Sequence, residues 1–336
     1  AVPDSAVCNE AVKLAKRHKF AQLSGFVNGV LRNIARNIDS VQFDTLSIRY
    51  SMPQWIVDRF VAAYGEKKAE EIFKAFHSKS TISIRTNLTR CTPDELRVML
   101  EAEGVTVTAV DELNYAFVIS GFDYLNGLQS FRDGLFYVQD ISSMLVAQTA
   151  APKKGDYVID VCAAPGGKST HIAELLQGSG HVLARDLTDN KVDMIEENIE
   201  RHGLNNMSAE VWDATVFDAD SAGKADILIC DLPCSGLGVL GRKKDIRYKM
   251  TPESVDELAA LQRQILDTVH TYVKPNGVLV YSTCTIDEAE NEDNVMWFIE
   301  KHPEFELDKN FAEGTGMKQI LPGEHGSDGF FIARFI

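Results

Sequence analysis

The sequence lacks any apolar run approaching the roughly 18 residues that a membrane-spanning helix needs. Its 336 residues include six cysteines, and none of them forms a CxxC pair. This spacing disfavours both a disulfide framework and a structural zinc site. The first residues also lack the apolar core of a signal peptide. We therefore expect a cytoplasmic protein with free thiols, no membrane segment and no bound metal.

Positive charge is scarce as well. Lys and Arg number 34 against 49 Asp and Glu, which gives a formal net charge of −15. A strongly acidic chain is not an obvious nucleic-acid binder. The charge is uneven, however, because residues 1–40 carry six Lys and Arg against three Asp and Glu. Any nucleic-acid-binding surface would therefore have to come from local basic clusters.

Three segments of the chain differ in hydrophobic periodicity. Residues 6–37 and 45–77 carry apolar residues at three- and four-residue spacing, which predicts helices. Residues 80–140 contain short alternating segments and a capped helix, which predicts a small α+β unit. From residue 156 strands alternate with helices, which predicts a mostly parallel sheet covered on both faces. We place the domain boundaries at 1–40, 41–150 and 151–336.

The elements of the last segment can be placed approximately. Strands are predicted at 156–161, 181–186, 207–212, 225–230 and 277–282. Helices are expected near 168–177, 189–203 and 253–273. Thr285 and Glu288 form an S/T-x-x-E capping box, which predicts a final helix beginning at Thr285. FELD (305–308) and GFFIARF (329–335) are interpreted as a closing hairpin.

The segment DVCAAPGGKST (160–170) is typical of a strand that runs into a Gly-rich turn and then a helix. Gly166 and Gly167 let a ligand approach the backbone, and the helix N-terminus offers free N–H groups. A tight turn without a ligand is the alternative. The segment matches neither the GxGxxG fingerprint nor a Walker loop. A nicotinamide-dependent dehydrogenase is therefore only a distant alternative.

Acidic residues follow the neighbouring predicted strands. Asp186 ends the second strand, 19 residues after Gly167, where a carboxylate can accept hydrogen bonds from a ribose diol. Asp213 follows the third strand, and Asp231 follows the fourth. Each of them alone could be a helix cap or a loop residue. Together they favour an adenosine-binding pocket, because ligands of such sheets bind at the carboxyl ends of the strands.

Two cysteines lie at the same edge. Cys234 in DLPCSG and Cys284 in YSTC each follow a predicted buried strand. A position before a helix N-terminus favours the thiolate. The acidic run from Asp287 to Asp293 opposes that effect, so we expect no strong lowering of the pKa of Cys284. A small buried residue at a strand end is the alternative for either cysteine.

CAAPGGK, DLPCSG and YSTC, in this order and spacing, resemble the motifs of the Nop/Sun-type RNA cytosine-5 methyltransferases, especially the branch that modifies bacterial 16S rRNA. FYVQDISSMLVAQ (136–148) and LPG…SDGFFIARF (321–335) resemble further signatures of the family, and GFVNGVLRN (25–33) resembles the end of a NusB-like helical domain. The resemblance covers essentially the whole chain. It implies an α/β fold with a Rossmann-like class I methyltransferase sheet in 151–336. A small α+β subdomain would precede that sheet, and 1–40 would be a C-terminal remnant of the NusB-like domain.

The resemblance also implies a chemistry. Cys284 would be the nucleophile that adds to C6 of cytosine, Cys234 would assist release of the product, and Asp231 would hydrogen-bond the base. The DNA cytosine-5 methyltransferases instead use the cysteine of their PC motif, which would give the nucleophilic role to Cys234. S-adenosylmethionine would be the methyl donor. The residues implied to hold it are Cys162, Ala163, Ala164, Pro165, Gly166, Gly167, Lys168, Asp186, Asp213 and Asp231.

The substrate implied by the resemblance is a single-stranded or loop cytosine of RNA, because the base must leave the stack. Phosphate contacts are expected from the basic segment GRKKDIRYK (241–249), at Arg242, Lys243 and Lys244, and from Arg85 in the α+β unit. We expect a monomer whose partner is 16S rRNA. Alternative substrates are tRNA and large-subunit rRNA. A non-catalytic RNA-binding assembly factor is a further alternative, which the intact cysteines and Gly-rich loop disfavour.

Overall fold

Residues 2–78 and 81–336 are described in a computed structural model of the chain, apart from the side chain of Asp39. Residue 1 of the predicted 1–40 domain and Ser80 of the predicted 80–140 unit lie outside the described residues. The chain divides into two units, one ending at Met52 and one comprising Pro53–Ile336. The sequence-based boundary at 40 thus lies within the first unit, and the boundary at 150 lies within the second.

The first unit is helical. It contains α1 (Asp4–Arg17), α2 (Ser24–Asn37) and the short α3 (Leu46–Arg49), with 3-10 turns at Ala21–Leu23 and Ile38–Ser40. The helices predicted within 6–37 are confirmed, and they are interrupted around residues 18–23. The helix predicted for 45–77 is divided between α3 and the first helix of the second unit, because Pro53 starts a new helix.

The second unit begins with α4 (Gln54–His77), which is kinked at Gly65, where φ is 76°. A four-stranded antiparallel sheet follows in the order β2-β3-β1-β4. Its elements are β1 (Ile82–Thr86), α5 (Pro93–Ala102), β2 (Thr106–Ala109), β3 (Ala116–Ser120), α6 (Gln129–Arg132) and β4 (Phe136–Val138). Thr92 and Glu95 form the capping box of α5, as the sequence predicts.

A seven-stranded sheet occupies the rest of the unit in the order β10-β11-β9-β8-β5-β6-β7. Strands β5 to β9 are parallel, and β11 is antiparallel to both β9 and β10. The elements are α7 (Ile141–Ala150), β5 (Tyr157–Asp160), α8 (Gly167–Leu175), β6 (His181–Asp186), α9 (Asp189–His202), β7 (Met207–Val211), β8 (Ala225–Asp231), α10 (Ile246–Lys249), α11 (Pro252–Val269), β9 (Val273–Thr283), α12 (Glu292–Lys301), β10 (Met317–Ile320) and β11 (Phe330–Phe335).

Both faces of this sheet are covered, which explains why its strands are almost continuously apolar. Val158 and Ile229 on one face pack in a core cluster with Ile172 of α8. Leu228 on the other face packs in a cluster with Leu266 of α11. Because strands β5 to β9 are parallel, their carboxyl ends lie at a single edge of the sheet.

Two predictions for the C-terminal region are wrong. The last helix begins at Glu292 rather than at Thr285. The hydroxyl of Thr285 cannot cap a helix there, because it is buried and lies 2.9 Å from the hydroxyl of Ser235. The closing hairpin is formed by β10 and β11, whereas the FELD segment contributes a single bridge, from Leu307 to Phe335.

Candidate active site

The Gly-rich loop between β5 and α8 is held in place by β6. The amide of Ala163 donates to the carbonyl of Arg185 at 2.8 Å. The amide of Ala164 donates to the carboxylate of Asp186 at 2.9 Å. The peptide bond between Ala164 and Pro165 is cis, and Gly166 has a φ of 99°, a conformation that favours glycine. The loop thus has a defined shape at the carboxyl edge of the sheet.

The small antiparallel sheet supports the same loop from the other side. The hydroxyl of Tyr137 on β4 donates to the carbonyl of Pro165 at 3.2 Å, and Asn198 of α9 donates to it at 2.9 Å. A Cβ atom at Gly167 would lie 3.1 Å from the ring of Tyr137. Glycine at 167 therefore permits this close packing, because a larger residue would have to displace the ring of Tyr137 by a few tenths of an ångström.

Arg85 does not belong to an RNA-binding surface, so this prediction is corrected. It is 1% exposed, and its guanidinium donates to Glu174 of α8 at 2.9 Å and to the carbonyl of Gly167 at 2.9 Å. Gln139 and Thr170 accept its other hydrogen bonds. Because all of these partners are internal, Arg85 joins the small sheet to helix α8 and cannot reach a phosphate.

Asp186 has a structural function that the sequence analysis missed. Its carboxylate accepts hydrogen bonds from the amides of Ala164 and Leu187, at 2.9 and 2.8 Å, and from Lys191 at 2.8 Å. The residue is 3% exposed. A carboxylate has about four lone-pair sites, so one remains for a ligand hydroxyl. Asp186 therefore fixes the Gly-rich loop, and its contact with a ribose stays a prediction.

Asp213 is exposed after β7 and closes a local turn. Its carboxylate accepts hydrogen bonds from the amide and the hydroxyl of Thr215, at 2.8 and 2.7 Å. These hydrogen bonds lower the pKa of Asp213. Among the described residues, no hydrogen bond joins the Asp213 side chain to the Gly-rich loop. The contribution of Asp213 to a ligand site remains a prediction.

Lys168 and Asp231 form an ion pair at the mouth of the site, with Nζ and Oδ2 2.6 Å apart. Ser282 on β9 donates to the other carboxylate oxygen of Asp231 at 2.8 Å. Burial by itself would lower the pKa of Lys168, but the contact with Asp231 outweighs it and raises that pKa. Lys168 therefore keeps its proton and can serve as a hydrogen-bond donor beside Asp231.

A second carboxylate lies beneath this pair. Asp160, at the end of β5, is 1% exposed and accepts a hydrogen bond from Ser169. Burial raises the pKa of Asp160 to about 7, with a further contribution from the negative charge of Asp231. Burial also raises the pKa of the neighbouring Cys162 thiol, so Cys162 is unsuited to act as a thiolate.

The two cysteines predicted to share a site are in direct contact. The Sγ atoms of Cys234 and Cys284 are 3.2 Å apart, and the amide of Cys284 donates to Sγ of Cys234 at 3.3 Å. Both are free thiols and both are partly exposed. The loop after β8 also supports the end of β9, because the amide of Gly238 donates to the carbonyl of Cys284 at 3.1 Å.

The environment gives the two thiols opposite protonation tendencies. The hydrogen bond from Cys234 lowers the pKa of Cys284 against the opposing effects of burial and of the Asp231 charge, and the positive charges of Lys168 and Lys243 add to the lowering. The pKa of Cys234 is raised, first by this hydrogen bond and then by burial. Cys284 is therefore the thiol of the pair that loses its proton more readily, and Cys234 the one that keeps it. The cause is not a helix N-terminus, since α12 begins eight residues after Cys284.

The three predicted phosphate contacts of the basic segment are exposed but differ in their ion pairs. Arg242 is paired with Asp140 at 2.8 Å and with Asp328 at 2.5 Å. Because two carboxylates already balance its charge, we expect little phosphate binding from it, and its assignment stays a prediction. Lys243 and Lys244 are exposed, and the charge of Lys243 acts on Cys284.

One group of side chains with the composition of a metal site lies apart from these residues. Among the described residues, ligand atoms of Asp267, His270 and His302 lie within 4.8 Å of one another. Nζ of Lys301 is 2.8 Å from a carboxylate oxygen of Asp267 and already neutralises it.

Within residues 2–78 and 81–336 no helix combines the length and the apolar character that crossing a membrane requires.

The sheet order, with one antiparallel strand inserted beside β9 and a Gly-rich loop after β5, defines a Rossmann-like class I methyltransferase fold. The chain belongs to the 16S rRNA methyltransferase RsmB/F family, whose sequence profile matches residues 147–336. The ferredoxin-like domain of the RsmF/B-like methyltransferases matches residues 52–122, and the NusB family matches residues 1–36.

Curated relatives match nearly the whole chain. The probable ribosomal RNA small subunit methyltransferase B of Bacillus subtilis is 38% identical over 349 residues, which cover 98% of this chain and 78% of the relative. The ribosomal RNA small subunit methyltransferase B of Salmonella paratyphi A is 33% identical over 345 residues, which cover 100% of this chain and 78% of the relative.

Solved structures show the same similarity. NSun6 from Pyrococcus horikoshii, described with SFG, an analogue of S-adenosylmethionine, has a TM-score of 0.77 at 25% identity, covering 84% of this chain and 97% of its own. A methyltransferase homologue from Pyrococcus horikoshii has a TM-score of 0.74 at 26% identity, covering 86% of this chain and 96% of its own.

Proposed function

We propose that this protein methylates C5 of a cytosine in 16S rRNA, with S-adenosylmethionine as the methyl donor and through a covalent adduct between Cys284 and C6 of the base. The observation that carries the proposal is the contact between Cys284 and Cys234, 3.2 Å apart, at the sheet edge that also holds the Gly-rich loop. The names of the relatives, which are small-subunit rRNA methyltransferases, support the choice of RNA.

A cysteine thiolate is needed because C5 of cytosine is a poor nucleophile. When the Cys284 thiolate adds to C6, the ring becomes an enamine whose C5 can attack an electrophilic methyl group. S-adenosylmethionine supplies that methyl group. Asp231 would hydrogen-bond the base and, with protonated Lys168, favour protonation of its ring nitrogen. A general base then takes the proton from C5 and the C6–S bond breaks, which releases the thiolate, and the ring nitrogen returns its proton to the Lys168–Asp231 pair, which restores neutral, aromatic 5-methylcytosine. Cys234 would assist this release.

The residues at the sheet edge fit the proposed cofactor. The Gly-rich loop leaves the backbone at the start of α8 free of side chains, and a Cβ atom at Gly167 would crowd the ring of Tyr137 at 3.1 Å. Asp186 ends β6, the strand next to β5, which is where a ribose-binding carboxylate is expected in this fold. The residues assigned to the cofactor are the loop 162–168 with Asp186, Asp213 and Asp231.

The proposal is tested by supplying the protein with labelled S-adenosylmethionine and, in separate reactions, 16S rRNA, large-subunit rRNA and tRNA. We expect label only in 16S rRNA, and 5-methylcytidine as the labelled nucleoside after digestion. Label in tRNA or in large-subunit rRNA would identify that RNA as the substrate instead. Label at another base would exclude the cytosine-5 chemistry, and cofactor binding without any transfer would favour an assembly factor.

Replacing Asp186 by Ala should weaken binding of S-adenosylmethionine by roughly 1–3 kcal/mol, the usual loss for hydrogen bonds to a charged group. The variant should also be less stable, because the amide of Ala164 loses its acceptor. Isothermal titration calorimetry and thermal unfolding measure the two effects separately. Lys191→Ala is the matched control, since Lys191 contacts Asp186 with a side chain that is 50% exposed. An Asp186→Ala variant with unchanged affinity would show that the ribose is bound elsewhere.

Replacing Lys243 and Lys244 together by Gln should weaken RNA binding and reduce its salt dependence. Each lost phosphate contact with single-stranded RNA should flatten the plot of log affinity against log salt by about 0.7 units. Arg242→Gln is the control, and it should leave the slope unchanged because Arg242 is paired with Asp140 and Asp328. A slope altered only by Arg242→Gln would assign the phosphate contact to Arg242 instead of the two lysines.

A further inference from the structure

Glu290 is a buried carboxylate to which the proposed reaction gives no function. It lies in the turn between β9 and α12 and is 0% exposed. Its Oε1 accepts hydrogen bonds from the amide of Ser235 at 2.8 Å and from Gln262 at 2.9 Å, and its Oε2 accepts from the hydroxyl of Ser235. A buried charge is costly unless such partners satisfy it, so its presence calls for a function.

The partners of Glu290 flank Cys234 on both sides. Ser235 directly follows Cys234, and it gives Glu290 both its amide and its hydroxyl. Gln262 also donates to the carbonyl of Pro233, which directly precedes Cys234, at 2.8 Å. Glu290 and its partner Gln262 therefore hold the backbone before and after this cysteine.

The same partners reach the residue after Cys284. The hydroxyls of Ser235 and Thr285 are 2.9 Å apart. Because the hydroxyl of Ser235 gives its single proton to Glu290, Thr285 must be the donor to Ser235. A chain of hydrogen bonds thus runs from Thr285 through Ser235 to Glu290, and it links the two loops that carry the cysteines.

We propose that Glu290 is a positioning residue that acts through Ser235 and Thr285 to hold the Sγ atoms of Cys234 and Cys284 in contact. The inference rests on the proposed function, since it concerns the two thiols that this reaction would use. Because Glu290 is 0% exposed, it is closed off from both the base and the cofactor. Its effect on the reaction would be exerted entirely through the placement of the two cysteines.

The charge of Glu290 has a second effect in the same direction. It contributes to raising the pKa of Cys234, after the hydrogen bond to Cys284 and burial, and so helps to keep Cys234 protonated. The other charged groups that act on the pair are Asp231, Lys168 and Lys243. Lys168 and Lys243 favour the thiolate of Cys284 and Asp231 opposes it, whereas the charge of Glu290 acts on Cys234.

The test is alkylation of the free protein by iodoacetamide over a range of pH, with the modification of each cysteine followed by mass spectrometry. In the unaltered protein Cys284 should react at a lower pH than Cys234. Glu290→Gln and Thr285→Val should each bring the two midpoints closer, by roughly one pH unit, the scale on which a hydrogen bond to the charged form shifts a pKa. Glu288→Gln is the matched control, because Glu288 lies two residues away and is exposed.

Turnover provides a second readout. In both variants kcat for methyl transfer should fall while KM for RNA stays unchanged, because the RNA-binding surface is not altered. Folded variants that keep the separation of the two midpoints would overturn the inference. Thr285→Val decides the matter if Glu290→Gln does not fold, since it removes only one hydroxyl. The alkylation requires neither RNA nor cofactor, so it is independent of the methylation assay. If the midpoints move in the variants but the unaltered protein methylates no cytosine, the proposed function is refuted and this inference stands.

Discussion

Cys284→Ala should abolish both methyl transfer and any covalent complex with RNA, because it removes the thiolate that adds to C6. Cys284 is the thiol of the pair whose pKa is lowered, through the hydrogen bond from Cys234 and the positive charges of Lys168 and Lys243. Without the addition, C5 keeps the low reactivity of the free base. The measurements are transfer of labelled methyl groups and denaturing electrophoresis of the RNA–protein mixture.

Cys234→Ala should give the opposite phenotype. Cys284 can still add to the base, so methylation should occur once per protein molecule, but release should fail. The stalled complex should survive denaturing electrophoresis and should require both the cofactor and the target cytosine. Removal of the Cys234 hydrogen bond should also raise the pKa of Cys284, so formation of the complex should need a higher pH than in the unaltered protein.

Cys91→Ala serves as the control for both variants. Cys91 lies in the small antiparallel subdomain, and burial raises its pKa to about 11, so it should be inert. If the stalled complex forms with Cys284→Ala instead, the functions of the two cysteines are exchanged, as in the DNA enzymes that use the PC motif. If neither variant forms a complex while both still methylate RNA, the covalent mechanism is wrong.

Arg85→Met should destabilise the protein by about 3–5 kcal/mol, the usual cost of removing one partner of a buried ion pair. Glu174 is 3% exposed, and among the described residues its remaining ion-pair partner would be His202, at 3.4 Å. The carbonyl of Gly167 would lose its donor as well. Urea denaturation measures the loss, and RNA affinity per folded molecule should remain unchanged.

The double variant Arg85→Met, Glu174→Gln should recover part of the lost stability, because it also removes the unpaired charge. Arg132→Met is the matched control in the same subdomain, and it should have little effect because Arg132 is exposed. An Arg85→Met variant that is fully stable but binds RNA weakly would restore the original assignment of Arg85 to the RNA surface.

The sequence alone determined the local features of the site. The loop CAAPGGK could be placed after a strand, since glycine at 166 permits the positive φ that the turn requires. The order of strands and helices predicted a parallel sheet, and parallel strands bring their carboxyl ends to one edge. Cys234 and Cys284 could be expected at that edge for this reason, although 50 residues separate them in the chain.

Only the tertiary structure decided which charged groups are available to a ligand. Arg85 and Arg242 have the residue type of phosphate contacts, yet Glu174 in one case and Asp140 with Asp328 in the other already neutralise them. These partners lie 89, 102 and 86 positions away, beyond the reach of any local pattern.

Thr285 illustrates the same limit for a local motif. The S/T-x-x-E pattern predicted a helix cap, but the hydroxyl of Thr285 is hydrogen-bonded to the hydroxyl of Ser235, 50 residues earlier in the chain. The sequence also could not predict which of the two thiols has the lower pKa. That difference depends on a 3.2 Å contact between the sulfur atoms and on the charges around each of them. Spacing along the chain specifies backbone conformation and the edge where a residue lies, whereas pairing and protonation depend on distances that only packing sets.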